Sequence, residues 1–421
     1  MTPADRELSL ENFRQIVGND IDRIAARLAA RAGEIKARVA VDLLSVIRDS
    51  LVFGLHAVVN KDERPIFQFG TQQAFFFLHY FVRAYLGSDL YSRSVLRGRL
   101  NDGVDSEMGL PALFLELAQA HTYLRWGNDV EFLEAGEVSA PDLLVRSRYQ
   151  KLYVECKCVF VGSRQGLPAK ATVDVVHLAT KYLASIGTGR FEKLLTVEYV
   201  GSLPVPKDAI PNLAAIFMNC EDLVSISSCK YWKLEVSALP EGITQDDYKF
   251  NSYGSGHPAL RGYAFCPVPN AGFVVVRSIH EWKLDEAISD VTSKALKQLP
   301  SEGYRIAAIQ ILGSGPLALK YEKGFVDVAH LAMSKHDNRR RFAEQARKKN
   351  GFVGLQILGD FYTQENGLGD VVLNYPGGTW LSSHAPDSSM WACGFMNMLP
   401  SELVKMFQQA AYDSSAVWWF P

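Results

Sequence analysis

Asp142, directly after Pro141, stands a short hairpin away from Glu155 and Lys157, which flank Cys156 in the run Ala140 to Val159, APDLLVRSRYQKLYVECKCV. The run reads as two apolar strands joined by a polar, basic turn. Side chains alternate along a strand, so Tyr153, Glu155 and Lys157 are expected on one face, and Val154, Cys156 and Cys158 on the other. Charges in mid-strand cost free energy unless they find partners or a metal. Mg²⁺ prefers a few carboxylates plus waters, and it serves hydrolysis by activating a water and stabilising charge. Asp142, Glu155 and the backbone carbonyl of Cys156 would supply oxygens for such an ion. Lys157 would orient the attacking water or help to deprotonate it.

The elements around this run must position it. A helix from about Leu110 to Trp126 has Pro111 in its first turn and an apolar stripe of Leu113, Phe114, Leu117, Ala120, His121 and Leu124. Glu116 falls off that stripe, on a face with Gln119, Ala120 and Tyr123, and is a third carboxylate candidate, with Glu134 as its competitor. Asp129 to Glu134 alternates as a strand. Beyond Val159 the pattern predicts a helix at 172–186, a strand at 194–199, a helix at 209–218, a strand at 232–237, a long loop over 238–270, a helix at 284–299 and a strand at 304–312. This α/β order is expected to form one mixed sheet.

Glu116, Pro141-Asp142 and Glu155-Cys156-Lys157, in that order along a helix and three strands, resemble the PD-(D/E)xK nuclease superfamily. The resemblance covers roughly 110–200, with weaker continuity to about 315. It implies a restriction-endonuclease-like core, αβββαβ, with a mixed central sheet flanked by helices. It also implies a Mg²⁺-dependent (Mn²⁺-compatible) endonuclease that hydrolyses phosphodiester bonds, of DNA rather than RNA. Asp142, Glu155, the Cys156 carbonyl and Glu116 would hold the metal, and Glu116 would enter from the helix. Three other readings compete: a nuclease-like fold that binds nucleic acid or acts as a scaffold without turnover, an accidental motif on an unrelated α/β protein, and a half-exposed edge strand whose Glu155 and Lys157 form a surface ion pair worth little.

Three regions are expected: 1–105 helical and accessory, 106–315 nuclease-like, and a C-terminal extension over 316–421. In the first, Ile21, Ile24, Leu28, Ile35, Val39, Leu43, Leu44 and Ile47 recur at helical spacing. The region suits dimerisation or target recognition, so a homodimer is among the expected states. The polar stretch Arg97 to Gly109 marks the expected boundary. His56 and His79 are expected as core histidines.

Composition sets outer limits. Hydrophobic residues make up 48% and charged residues 21%, with a formal net charge of −2, which excludes a globally basic nucleic-acid coat but not a local basic groove. Arg146, Arg148, Lys151, Arg164, Lys170 and Lys181 are candidates for a phosphate track, Lys181 foremost. Arg339 to Arg341, Lys294, Lys297 and Gln298 are weaker ones, and Trp418, Trp419 and Phe420 offer either base stacking or packing. Six cysteines (156, 158, 220, 229, 266, 393) lack zinc spacing and are expected as reduced core residues. The apolar run Ala74 to Leu86 is too short to cross a bilayer, and no signal sequence is visible. The expectation is a cytoplasmic protein with no membrane partner.

Overall fold

Thr2 and Asp5 cap one another at the start of the chain, each side chain accepting the other's amide, and this launches the first helix in the computed structural model. Six helices come first: α1 (Pro3–Val17), α2 (Ile21–Val39), α3 (Leu43–Asn60), α4 (Gln68–Gly87), α5 (Leu90–Asp105) and α6 (Gly109–Arg125). Next are β1 (Asp129–Phe132), β2 (Leu143–Arg146), β3 (Lys151–Phe160), α7 (Ala169–Ser185), β4 (Lys193–Tyr199), α8 (Ala209–Asn219), β5 (Ser227–Ser228), β6 (Trp232–Ala238), β7 (Ala264–Val268) and β8 (Gly272–Ser278). The chain continues with α9 (Leu284–Gln298), β9 (Tyr304–Leu312), β10 (Val353–Asn366), β11 (Gly369–Ser382) and β12 (Val417–Phe420). The structure describes the chain apart from residues 40–42, 62–67, 135–139, 147–150, 161–166, 220–226, 244–263, 280–283, 301–303, most of 313–352, 383–416 and a few single positions. The expected basic turn, with Arg148, and the positions of Arg164, Arg339, Arg341, Cys220 and Cys393 lie outside the described residues.

The chain divides into two compact units, one of residues 1–32, 48–160 and 284–421, the other of residues 33–47 and 161–283. In the first unit, α4 packs between α1 and α6. Phe13 meets Phe81 edge-on at 5.4 Å, Phe77 meets Phe114 at 6.0 Å, and Tyr80 stacks on His121 at 4.4 Å. Each buried aromatic ring of this kind contributes about 1.5–3 kcal/mol. The apolar run 74–86 is therefore a core helix, with Ala74, Phe77, Leu78, Phe81 and Ala84 fully buried. No helix among the described residues is long and apolar enough to cross a membrane.

The expected boundary over 97–109 is mostly helix. Its glycines read as a linker, yet α5 runs through Gly98 and Gly103 to Asp105. A Cβ on Gly109 would lie 2.5 Å from the Cα of Gly103, so the pair lets the end of α5 meet the start of α6 in close contact. Helices α5 and α6 are thus locked together, and residues 1–32 and 48–105 of the helical region share one unit with the strands after it.

The sheet of this unit has the strand order β1-β2-β3-β9-β10-β11-β12. β1, β2 and β3 are antiparallel neighbours, with Leu143 opposite Val154 and Leu144 opposite Tyr153. β3 then pairs in parallel with β9, Glu155 opposite Ala307 and Lys157 opposite Ile309. Helix α9 lies against β3 and β9 as the crossover that a parallel pair requires. The stretch expected as a C-terminal extension joins the same sheet: β10 runs parallel to β9, and β11 and β12 follow.

The second unit has its own sheet, β5-β6-β4-β8-β7, with α7 and α8. Val175, Val176, Leu195, Val197, Trp232, Val274 and Val276 form its core. The chain therefore builds two sheets where one was expected. The helix and strand that follow β3 in sequence, α7 and β4, belong to the second, and α9 and β9 complete the first. The expected loop 238–270 contains β7. Pro267 is tolerated there because β7 is an edge strand, where a missing amide breaks no inner ladder. β8, a run of buried residues from Gly272 to Val276, pairs with both β7 and β4.

Candidate active site

Strand β3 is an interior strand, paired on both sides, and this decides the standing of its charges. Glu155 is 1% exposed, so the surface ion pair on an edge strand is ruled out. Val154 and Cys156 on the other face are buried as expected, and β3 packs against α6.

Asp142 sits at the entrance to β2, one position before the β2–β3 pairing begins at Leu143. Its Oδ2 accepts the Cys156 amide at 2.7 Å, and its backbone carbonyl accepts the Leu133 amide at 3.0 Å. The carboxylate is thus registered against the Glu155–Lys157 step by the backbone itself. Lys157 Nζ forms an ion pair with Oε1 of Glu155, as two side chains on one strand face can. Both Glu155 oxygens are buried without a regular hydrogen bond; Oε1 is met by the Lys157 ion pair, and Oε2 is left with no partner. An orphaned buried carboxylate oxygen costs about 1–3 kcal/mol or more. Lys157, 30% exposed, connects the cluster to solvent.

Glu116 joins from α6, which is buried on both faces: Phe114 meets α4, while Glu116 is 9% exposed. Its partner is Arg99 of α5, a residue that sequence reasoning missed. One arm of the Arg99 guanidinium pairs with Glu116. The other donates to the Leu133 carbonyl and lies 3.8 Å from Oδ1 of Asp142. The available signal was position, because Arg99 falls beside Leu96, Leu100 and Gly103 on the buried side of α5. Glu134, the competitor of Glu116, is exposed and accepts from the Tyr91 hydroxyl at 3.3 Å.

The charges feel one another. Burial, and then the charge of Asp142, push the Glu155 carboxyl up to about 7 against the pull of Lys157 and Arg99. The same causes bring Glu116 to about 7, with Arg99 opposing. Burial works against the Lys157 ammonium, but Glu155 and Asp142 outweigh it and raise its pKa. Arg99 is raised likewise, Glu116 and Asp142 overcoming its burial. Burial and the surrounding carboxylates hold the Cys156 thiol well above its ordinary value, so it is an inert core residue.

Asp142 and Glu155, with one buried oxygen unpartnered, fit the donor chemistry of Mg²⁺, which takes one or two carboxylates and keeps waters. Among the described residues no group of three or more His, Cys, Asp or Glu is arranged to hold a metal. Glu116, tied to Arg99, does not complete such a group.

The basic candidates scatter. Arg146 makes a two-armed ion pair with Glu131 across β1 and β2, at 2.6 and 3.0 Å. Lys151 is exposed at the start of β3. Lys170 and Lys181 lie on α7 in the second unit. Lys294 and Lys297 are exposed on α9, where Gln298 is half-buried. Trp418, Trp419 and Phe420 form β12, and their side chains lie outside the described residues. Of the described cysteines, Cys156 is buried and Cys158, Cys229 and Cys266 are half-buried.

In comparison with known proteins, no family model, no curated protein and no solved structure matches this chain.

Proposed function

We propose that the chain is a divalent-metal-dependent endonuclease with a restriction-endonuclease-like core, in which Asp142 and Glu155 hold Mg²⁺ or Mn²⁺ and Lys157 acts beside them. The observation that carries this reading is Glu155 itself: a carboxylate buried on an interior strand, with one oxygen unpartnered, beside Lys157 and Asp142. A purely structural position would not retain such a group, since an apolar residue there is cheaper. The order α6, β1, β2, β3, α9, β9 also supports the αβββαβ resemblance, with residues 161–283 inserted between β3 and α9.

The residues divide the work as follows. Asp142, fixed by the Cys156 amide, and Glu155 would present oxygens for the metal, with the Cys156 carbonyl as the backbone donor that the resemblance implies. A bound Mg²⁺ supplies Lewis acidity toward the phosphate and a more acidic water. Lys157, held cationic by its neighbours, orients the water and offsets phosphate charge as a donor; its raised pKa makes it a poor proton acceptor at neutral pH. The substrate class is nucleic acid, DNA before RNA, and the site of action is the cytoplasm.

The second reading, binding or scaffolding without turnover, draws on Arg99 and Lys157, which offset much of the cluster's charge without a metal. Incubation of the full chain with duplex DNA, single-stranded DNA and RNA, with and without Mg²⁺ or Mn²⁺, separates the two. Metal-dependent cleavage supports the enzyme; tight binding with no cleavage under every condition supports the binding module.

A further inference from the structure

We infer that Arg99 takes the place of a second cation, so that the site is built for one divalent ion on Asp142 and Glu155, with Glu116 outside its ligand set. This rests on the proposed reading of the cluster as a metal centre. The guanidinium pairs with Glu116, reaches 3.8 Å from Oδ1 of Asp142 and is anchored by the Leu133 carbonyl. Leu133 in turn donates its amide to the Asp142 carbonyl at 3.0 Å, so Arg99 and Asp142 share one backbone support. Arg99 is therefore fastened by three groups, and Glu116 is committed to it.

That arrangement splits the three carboxylates into two halves. The half containing Glu116 is already neutralised. The other half, Glu155 with the near side of Asp142, contains the buried oxygen that lacks a hydrogen-bond partner. With every group ionised, three carboxylates against a guanidinium and an ammonium leave the cluster one net negative charge. One divalent ion makes it one net positive, enough to attract a phosphodiester. A second would make it three net positive in a largely buried site, which desolvation strongly opposes. Two-metal hydrolases place their ions about 3.5–4 Å apart on shared carboxylates. Here a guanidinium occupies the ground between Asp142 and Glu116. The lack of any three-carboxylate metal group among the described residues agrees with this division.

Titration of the full chain with Mn²⁺ alone, followed by calorimetry and by the electron-spin signal of free Mn²⁺, tests the inference without reference to activity. Wild type is expected to bind one ion. Glu116→Gln keeps that stoichiometry with affinity within about threefold, whereas Glu155→Gln loses at least about tenfold. Arg99→Met gains a second ion and Arg99→Lys does not. Two ions on the wild type, a loss in Glu116→Gln equal to that in Glu155→Gln, or a single ion in a folded Arg99→Met overturns the inference and leaves the proposed function standing. Absence of Mn²⁺ binding by the wild type overturns both. Should Arg99→Met fail to fold by circular dichroism, the wild-type stoichiometry and Glu116→Gln still decide the question.

Discussion

The amide of Cys156 donates a 2.7 Å hydrogen bond to Oδ2 of Asp142, so a backbone group of β3 sets the position of a carboxylate just before β2. The contact converts a hairpin register into a site: with Leu143 opposite Val154, Asp142 is delivered to the Glu155–Lys157 step. A one-residue slip would turn Glu155 and Lys157 to the opposite face.

Glu155 should be a position where function opposes stability. Its buried oxygen without a hydrogen bond favours removal of the carboxylate, and Lys157 is exposed enough to turn to water. Glu155→Met is expected to be more stable than wild type by about 1–3 kcal/mol, while losing metal binding. Urea denaturation checks this. A destabilised Glu155→Met would mean that the carboxylate is structurally satisfied and would weaken its assignment as a metal ligand.

The Arg99–Glu116 pair predicts non-additivity. Arg99→Met alone leaves Glu116 buried without its partner and is expected to cost about 2–4 kcal/mol. The double variant Arg99→Met/Glu116→Met should recover part of that loss, because it removes the stranded Glu116 carboxylate while Asp142 and the Leu133 carbonyl still lose the guanidinium. A double-mutant cycle by thermal or chemical denaturation measures the coupling. Additive losses would show that the ion pair is not the dominant interaction.

A pH dependence follows from His121. Burial, then the charges of His79, Arg125 and Arg83, push its pKa down to about 4, below the ordinary 6.5. His79 is lowered for the same kind of reason, burial first and then Arg83, with Asp5 opposing. The unfolded chain therefore takes up the proton first as the pH falls. The stability contributed by a neutral His121 is complete above about 6.5 and is lost progressively toward 4. His121→Phe keeps the stack on Tyr80 and removes the titration. Relative to wild type, it is expected to gain about 1–2 kcal/mol between pH 7 and pH 4.5, after allowance for the part-exposed ring. Melting curves of both proteins across that range check the difference.

The placement of Asp142, Glu155 and Lys157 was more legible in the sequence than the sheet was. Asp142, Glu155 and Lys157 were legible because period-two alternation and a short hairpin leave little freedom in where a strand residue points. The closing of the sheet was not, because a parallel partner may follow any crossover. The first helix and strand after β3 had the right pattern, and nothing local reveals that residues 161–283 form a unit of their own. Arg99 was hidden among similar arginines on α5. Arg93 donates to the carbonyls of Tyr85 and Leu86, and Arg97 to that of Val17, so only tertiary packing distinguishes the one that meets Glu116. The Gly103–Gly109 contact misled in the opposite direction, because closely packed helix glycines have the composition of a linker.

Asp142, Glu155 and Lys157 are proposed to form a metal-dependent hydrolytic centre. Cleavage of duplex DNA in Mg²⁺ or Mn²⁺ by wild type, Asp142→Ala, Glu155→Gln and Lys157→Met, all matched for folding by circular dichroism, tests it most directly. The expected result is metal-dependent cleavage by the wild type and a loss of at least about 100-fold in each variant. Cleavage that survives Asp142→Ala or Lys157→Met at wild-type rate would contradict it.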